Sequence, residues 1–171
     1  MSAFLTVVIE NCEILKRNSC FYKTYRALHI FFSSPMNKSE NLKVILHTSS
    51  NVMIELDTLL EIPSDIEEYS ETMEYLSKRM KLKASNGKVL AKVVKSKIGE
   101  ILNPNTYRLG LSTEGKVLEL NPNNNYTLFL NLADKDGHEV EYDIRVSNYE
   151  LGVDATCGRV LSLFEEALEI F

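Results

Sequence analysis

Apolar and polar positions alternate most cleanly between Tyr126 and Val146. On the first arm Tyr126, Leu128, Leu130 and Leu132 fall on one face, with Thr127 and Asn131 on the other. On the second, Val140, Tyr142, Ile144 and Val146 oppose Glu139, Glu141, Asp143 and Arg145. Successive side chains on a strand point to opposite sides, so the pattern predicts two antiparallel strands with one buried and one wet face. Ala133 to Gly137 reads as their turn, with Gly137 free to take a positive φ.

The first sixty residues read as further strands. Phe4 to Glu10 is apolar, and Phe21 to Phe32, rich in aromatic residues, reads as a central strand. Leu42, Val44 and Leu46 alternate with Lys43 and His47, and Val52, Ile54 and Leu56 resume after a polar break. Ser64 and Glu67 then have capping-box spacing, and Ile66, Tyr69, Met73, Leu76 and Met80 recur at steps of three and four. That spacing predicts a helix over about 64–82, with acids in its first half and bases in its last turns complementing the dipole. Lys88 to Ile98 is β-rich, Tyr107 to Leu111 alternates, and Ser112 to Gly115 reads as a hairpin loop into Lys116 to Leu120. Asp154 starts a second helix over about 155–171.

The order strands, helix, strands, helix predicts an α+β fold, mostly antiparallel, with about seven to nine strands in a sheet or sandwich. With no linker or repeat, residues 1–171 read as one domain.

Composition changes this picture little, because 171 residues with 44% hydrophobic and 25% charged content are those of an ordinary globular chain. Charge changes it more. Net charge is −5, yet Lys78, Arg79, Lys81, Lys83, Lys88, Lys92, Lys95 and Lys97 form a stretch without a single acid. Such a stretch can line a groove for phosphates. The competing reading is dipole complementation on a helix end plus an edge strand guarded by lysines.

Candidate chemistry is sparse. The Asp134-Lys135-Asp136-Gly137 run has the opening of a calcium loop, but it lacks the terminal Glu and the flanking helices, so a turn is expected. Cys12, Cys20 and Cys157 form no CxxC pair, which points to a reducing intracellular compartment. Cys157, in a helix's first turn, is the best placed of the three for a lowered pKa. His29, His47 and His138 are far apart in sequence and read as structural. No phosphate loop or hydrolase motif occurs, and the apolar run of Phe4 to Ile9 is too short for a membrane span. We therefore expect no catalytic residue, no cofactor and no metal.

No motif identifies a family. In element order alone the chain resembles the head domains of the coiled-coil scaffolds used in DNA end-joining and centriole assembly, a likeness that carries no site residues. The resulting expectation is a non-enzymatic intracellular module for protein–protein interaction, working as a homo- or hetero-oligomer through its sheet surface, a sheet edge or its terminal helix. Leu161, Phe164, Leu168 and Phe171 form the apolar stripe of that helix and are the candidate interface. A nucleic-acid-associated protein using Lys78 to Lys97 is the alternative, and a small enzyme with a dispersed site is the third reading.

Overall fold

The computed structural model describes residues 4–171; Met1 to Ala3 of the expected single domain lie outside the described residues. Eight strands form one mixed sheet. They are β1 (Leu5–Cys12), β2 (Leu42–Thr48), β3 (Met53–Leu56), β4 (Lys81–Lys83), β5 (Val89–Val94), β6 (Tyr107–Lys116), β7 (Tyr126–Asn131) and β8 (Tyr142–Ile144), in spatial order β4-β5-β3-β2-β1-β7-β6-β8. From β2 to β8 every pairing is parallel: β2 with β1, β1 with β7, β7 with β6, and β6 with β8. The remaining edge, β2-β3-β5-β4, is antiparallel.

Three long helices, α1 (Ser19–Phe32), α3 (Ile66–Arg79) and α5 (Val153–Leu168), share the main core with one face of the sheet. Leu5, Val7 and Ile9 of β1 meet Phe21, Leu28 and Phe31 of α1 and Val160 and Phe164 of α5 there. Each such fully buried side chain contributes about 1.5–3 kcal/mol. The opposite face carries a smaller cluster of Val8, Ile45, Met53, Leu102 and Phe129, touched by Ile98 and Ile101 of the short helix α4 (Ile98–Ile101). A further short helix, α2 (Pro35–Lys38), links α1 to β2.

The fold is thus α/β, and the expectation of a mostly antiparallel α+β sheet is overturned. The Tyr126 to Val146 hairpin does not exist: β7 lies between β1 and β6, and β8 pairs in parallel with the far side of β6. Alternation reports which residues share a face and is silent about the partner strand. Five of the six residues of β7 are buried, on both of its faces, as in the interior of a parallel sheet. Phe21 to Phe32 is α1, not a strand. Its Phe21, Thr24, Leu28 and Phe31 are buried at helical spacing, and the Asn18 side chain caps it by accepting from the Phe21 N–H at 3.0 Å.

Smaller corrections have equally local causes. Ser112 to Gly115 is no hairpin loop, because β6 runs through it with an irregularity opposite Ile144. The internal helix starts one residue later than its capping box implies, on Asp65, which accepts from the Glu67 N–H. The terminal helix starts at Val153 behind Gly152. The strand order and parallel half also remove the likeness to coiled-coil scaffold heads.

Candidate cofactor cleft

Because β1, β7, β6 and β8 run the same way, the segments that follow them leave on one side of the sheet. In open α/β sheets that side, beyond the carboxyl ends of the strands, is where ligands bind. A cleft of about 760 Å³ opens there, within the range of roughly 300–1,000 Å³ typical of small-molecule sites. Its walls come from Gly110 to Thr113 of β6, from the end of β7 and the loop to Val140, and from Val146 through Thr156 at the start of α5.

Hydrogen bonds from neighbouring asparagines pin the β7 loop. The Asn131 side chain donates to the Lys135 carbonyl at 2.8 Å and accepts from the Ala133 N–H at 3.1 Å. Asn11, at a φ of 55°, donates to the Asn131 side-chain oxygen at 2.8 Å. The DxDG run is therefore part of a loop that walls the cleft rather than a hairpin turn. Among the described residues no group of three or more His, Cys, Asp or Glu side chains could hold a metal ion.

At the base of the loop sits Glu10, only 4% exposed at the end of β1. Burying a carboxylate is costly unless it is hydrogen-bonded, and here Oε2 accepts from both the backbone N–H and the imidazole Nδ1 of His138, each at 2.6 Å. The loop approaches so closely that a Cβ on Gly137 would lie 2.6 Å from Oε1 of Glu10. Gly110 is fixed in the same way, since a Cβ there would collide with the Asp143 carboxylate. The His138 ring lies 5.0 Å from Phe129 and 4.9 Å from His47, centroid to centroid.

Electrostatically the cleft is acidic. Glu10, Asp134, Asp143 and Glu150 line it against the one lysine, Lys23, and Lys23 donates to the Leu132 carbonyl at 3.3 Å. Apolar surface comes from Leu111, Leu130, Leu132, Val146, Leu151 and Val153.

The basic stretch lies at the other end of the sheet, on α3, β4, β5 and the turn before α4, with all eight side chains exposed. It is partly neutralised. Lys78 pairs with Glu74 at 3.0 Å, Lys92 with Glu55 at 3.5 Å and Lys88 with Asp57 at 3.7 Å. Lys81 stands directly across from Lys92, and both line a second cleft of about 590 Å³ with Lys43, Glu55 and Asp57. Arg79, Lys83, Lys95 and Lys97 lie outside it.

The C-terminal stripe is split as well. Leu161 and Phe164 are buried in the chain's own core, with Phe164 5.7 Å from the rings of both Phe4 and Tyr126, so neither is available to a partner. Leu168 is half-buried and Phe171 is fully exposed. Burial pushes the Cys157 thiol up to about 12, aided by the Asp154 charge, and overrides the helix dipole that would activate it. Burial likewise pushes the Cys12 thiol far up. His29 has its Nε2 2.9 Å from the Pro63 carbonyl, a structural contact.

An α/β sheet with a small-molecule cleft at the carboxyl ends of its parallel strands defines a class in which loop chemistry sets the activity. The chain belongs to the EMG1/NEP1 methyltransferase family, whose pattern matches residues 24–165. It is 29% identical over 152 residues to the ribosomal RNA small subunit methyltransferase NEP1 of Mus musculus, covering 84% of this chain and 62% of that protein. It is also 29% identical over 160 residues to the ribosomal RNA small subunit methyltransferase mra1 of Schizosaccharomyces pombe, covering 86% and 45%. This chain thus spans less than two thirds of either relative. Archaeoglobus fulgidus Nep1 bound to S-adenosylhomocysteine has the same fold, with a TM-score of 0.77, 12% identity and coverage of 99% of this chain and all of that one.

Membership in a methyltransferase family overturns the expectation of a non-enzymatic interaction or scaffold module. An intracellular setting agrees with the family, and among the described residues no helix is long and apolar enough to cross a membrane. Of the residues gathered at the base of the cleft, Glu10 draws no notice in the sequence, while Gly137 and His138 read there as a turn glycine and a structural histidine. A glutamate closing an otherwise apolar strand, and a Gly-His pair after a run of turn residues, were the signals present.

Proposed function

We propose that this chain is a methyltransferase acting on small-subunit ribosomal RNA, with S-adenosylmethionine held in the cleft between β6, β7 and α5. The observation that carries the reading is the family match across residues 24–165, which takes in the cleft walls from Gly110 to Thr156 and leaves out Glu10 and Lys23. The residues present fit that cofactor. Its sulfonium and ammonium are cationic, and the cleft is lined by four carboxylates. Leu111, Leu132, Val146 and Leu151 offer apolar surface to an adenine ring, and Gly110 and Gly137 keep side chains out of the walls. When bound, the cofactor supplies an electrophilic methyl carbon. The chain's own contribution is to bind and orient it, and to place the acceptor in line with it.

A chain of net charge −5 with an acidic cleft needs a separate surface for RNA. Lys81, Lys92 and Lys43 around the second cleft, with Arg79, Lys83, Lys95 and Lys97 beside it, supply the cationic side chains for phosphate contacts. Lys92 and Lys43 share Glu55 at 3.5 and 3.6 Å, and they, like Lys78 and Lys88, would have to leave their acidic partners to meet a phosphate. A homo- or hetero-oligomer would use Phe171 and Leu168, the part of the terminal stripe that the chain does not bury, and light scattering of Phe171→Asp tests that.

The test of the function is titration calorimetry with S-adenosylhomocysteine, followed by transfer of labelled methyl groups to small-subunit ribosomal RNA. Saturable binding and incorporation are expected. Absence of both overturns the reading.

A further inference from the structure

We propose that His138 is the general base of the methyl transfer and that Glu10 is its positioning residue. The inference rests on the methyltransferase reading above and adds the group that takes the acceptor's proton. Glu10 Oε2 accepts the His138 backbone N–H, and the proposal assigns it the same accepting role toward the ring 2.6 Å away, with the ring proton on Nδ1. In the neutral imidazole Nε2 then carries the lone pair. Among the described residues Nε2 has no hydrogen-bond partner in the chain, and it is not a sealed, unsatisfied atom either. It is open to an incoming group.

The dyad is held rigidly. Glu10 is buried, its Oε2 also accepts the His138 backbone N–H at 2.6 Å, and Gly137 lets the loop close onto it. Phe129 and His47 flank the ring. A carboxylate that fixes the tautomer of a histidine whose second nitrogen faces a reactant is the arrangement of a base and its orienter. In this chain the pair lines the cleft assigned to the methyl donor, so the base and the electrophilic carbon share one space.

The step balances as follows. The acceptor atom forms a bond to the methyl carbon, the sulfur–carbon bond breaks with its electron pair returning to sulfur as a neutral thioether, and the acceptor's proton passes to Nε2 of His138. Such a base serves an acceptor that carries its own proton, a nucleobase N–H or a ribose hydroxyl. A bare ring nitrogen would not require it. The titratable groups in contact with the ring are Glu10 on β1 and His47 on β2, and Asp136 and Glu139 stand within two residues of it in its own loop.

Three measurements on the full chain test this. Long-range proton–nitrogen NMR of the imidazoles is expected to show His138 protonated on Nδ1 with an unprotonated Nε2 at neutral pH; the opposite tautomer overturns the proposal. His138→Gln is expected to lower single-turnover methyl transfer by roughly 10²–10⁴-fold, well beyond any loss of S-adenosylhomocysteine affinity, and to remove the acid limb of the pH–rate profile. His138→Ala should regain part of its rate with added imidazole, which a merely structural role would not allow. Full rate and an unaltered profile in His138→Gln overturn the proposal, as does methylation found at a bare ring nitrogen when the product nucleosides are analysed. If the wild-type protein binds no S-adenosylhomocysteine, it is the functional reading that falls, and the base falls with it.

Discussion

The β4-β5 edge and the β7-β6-β8 half of the sheet both mix apolar with polar strand residues, and they end with opposite chemistry. At the edge, short antiparallel strands leave their lysines in solvent, and the nearest acids of β3 and of the segment after it, Glu55 and Asp57, answer two of them. In the other half the strands are parallel, β7 is buried on both faces, and the connections gather on one side around a buried carboxylate. A run of like charge therefore marks an edge, while strand direction marks the side on which the cleft opens. Polarity of a cleft follows from which loops meet, and no single loop here carries the acidic character alone.

The largest expected effect is at Phe164. That ring anchors α5, whose first turns wall the cleft, to Phe4 and Tyr126. Phe164→Ala should cost about 3–5 kcal/mol of stability in chemical denaturation. The matching truncation at the edge, Leu82→Ala on half-buried β4, should cost clearly less. Equal costs would mean that the two ends of the sheet are equally load-sharing, and the contrast would fail.

The second test separates the two clefts by ligand. Gly137→Ala puts a methyl group against the buried Glu10 carboxylate, so either the carboxylate or the loop must shift and their contact is lost. S-adenosylhomocysteine affinity should fall by about tenfold or more, or about 1.4 kcal/mol, while ribosomal RNA binding at low salt is retained. The converse variant, Lys81→Glu with Lys95→Glu, should leave S-adenosylhomocysteine binding alone. It should weaken RNA binding and flatten its logarithmic salt dependence by roughly 0.7–0.9 per lost phosphate contact. Should the lysine variant bind RNA with an unchanged slope, the basic stretch is an edge device only.

What the sequence made legible follows from which interactions are local. The α3 helix, with its i, i+3 and i+4 stripe and its charge-graded ends, and the β2-β3 pair, joined by a tight turn, depend on neighbours in sequence and were readable. The partners of β7 and β8 were not, because alternation is the same for a strand in a hairpin and for one whose neighbour is more than a hundred residues away, as Leu5 is from Tyr126. The cleft was hidden for the same reason. Glu10 and His138 are 128 positions apart, and each reads alone as a strand end and a turn residue. For α1, the aromatic and β-branched content reads as a strand, and the structure shows a helix capped by the Asn18 side chain.

The smallest expected effect concerns Cys157, on the helix behind the cleft. Burial raises its thiol from 9.0 to about 12, so the folded chain holds that proton more tightly than the unfolded chain does. The group's contribution is fully present below the unfolded value. It is lost as pH rises from about 9 through about 12, since only the unfolded thiol ionises readily there. Cys157→Ala should therefore make the melting temperature fall less steeply over that alkaline window, with its pH dependence between pH 6 and 8 unchanged, because the thiol is neutral there in both states. Tyr69 and Cys12, also buried and raised, keep part of the slope in the variant. In parallel, a thiol reagent at neutral pH should label half-buried Cys20 well before Cys157. Rapid labelling of Cys157 in the native protein would mean that α5 leaves the cleft wall easily, and the parallel half would then be the looser of the two.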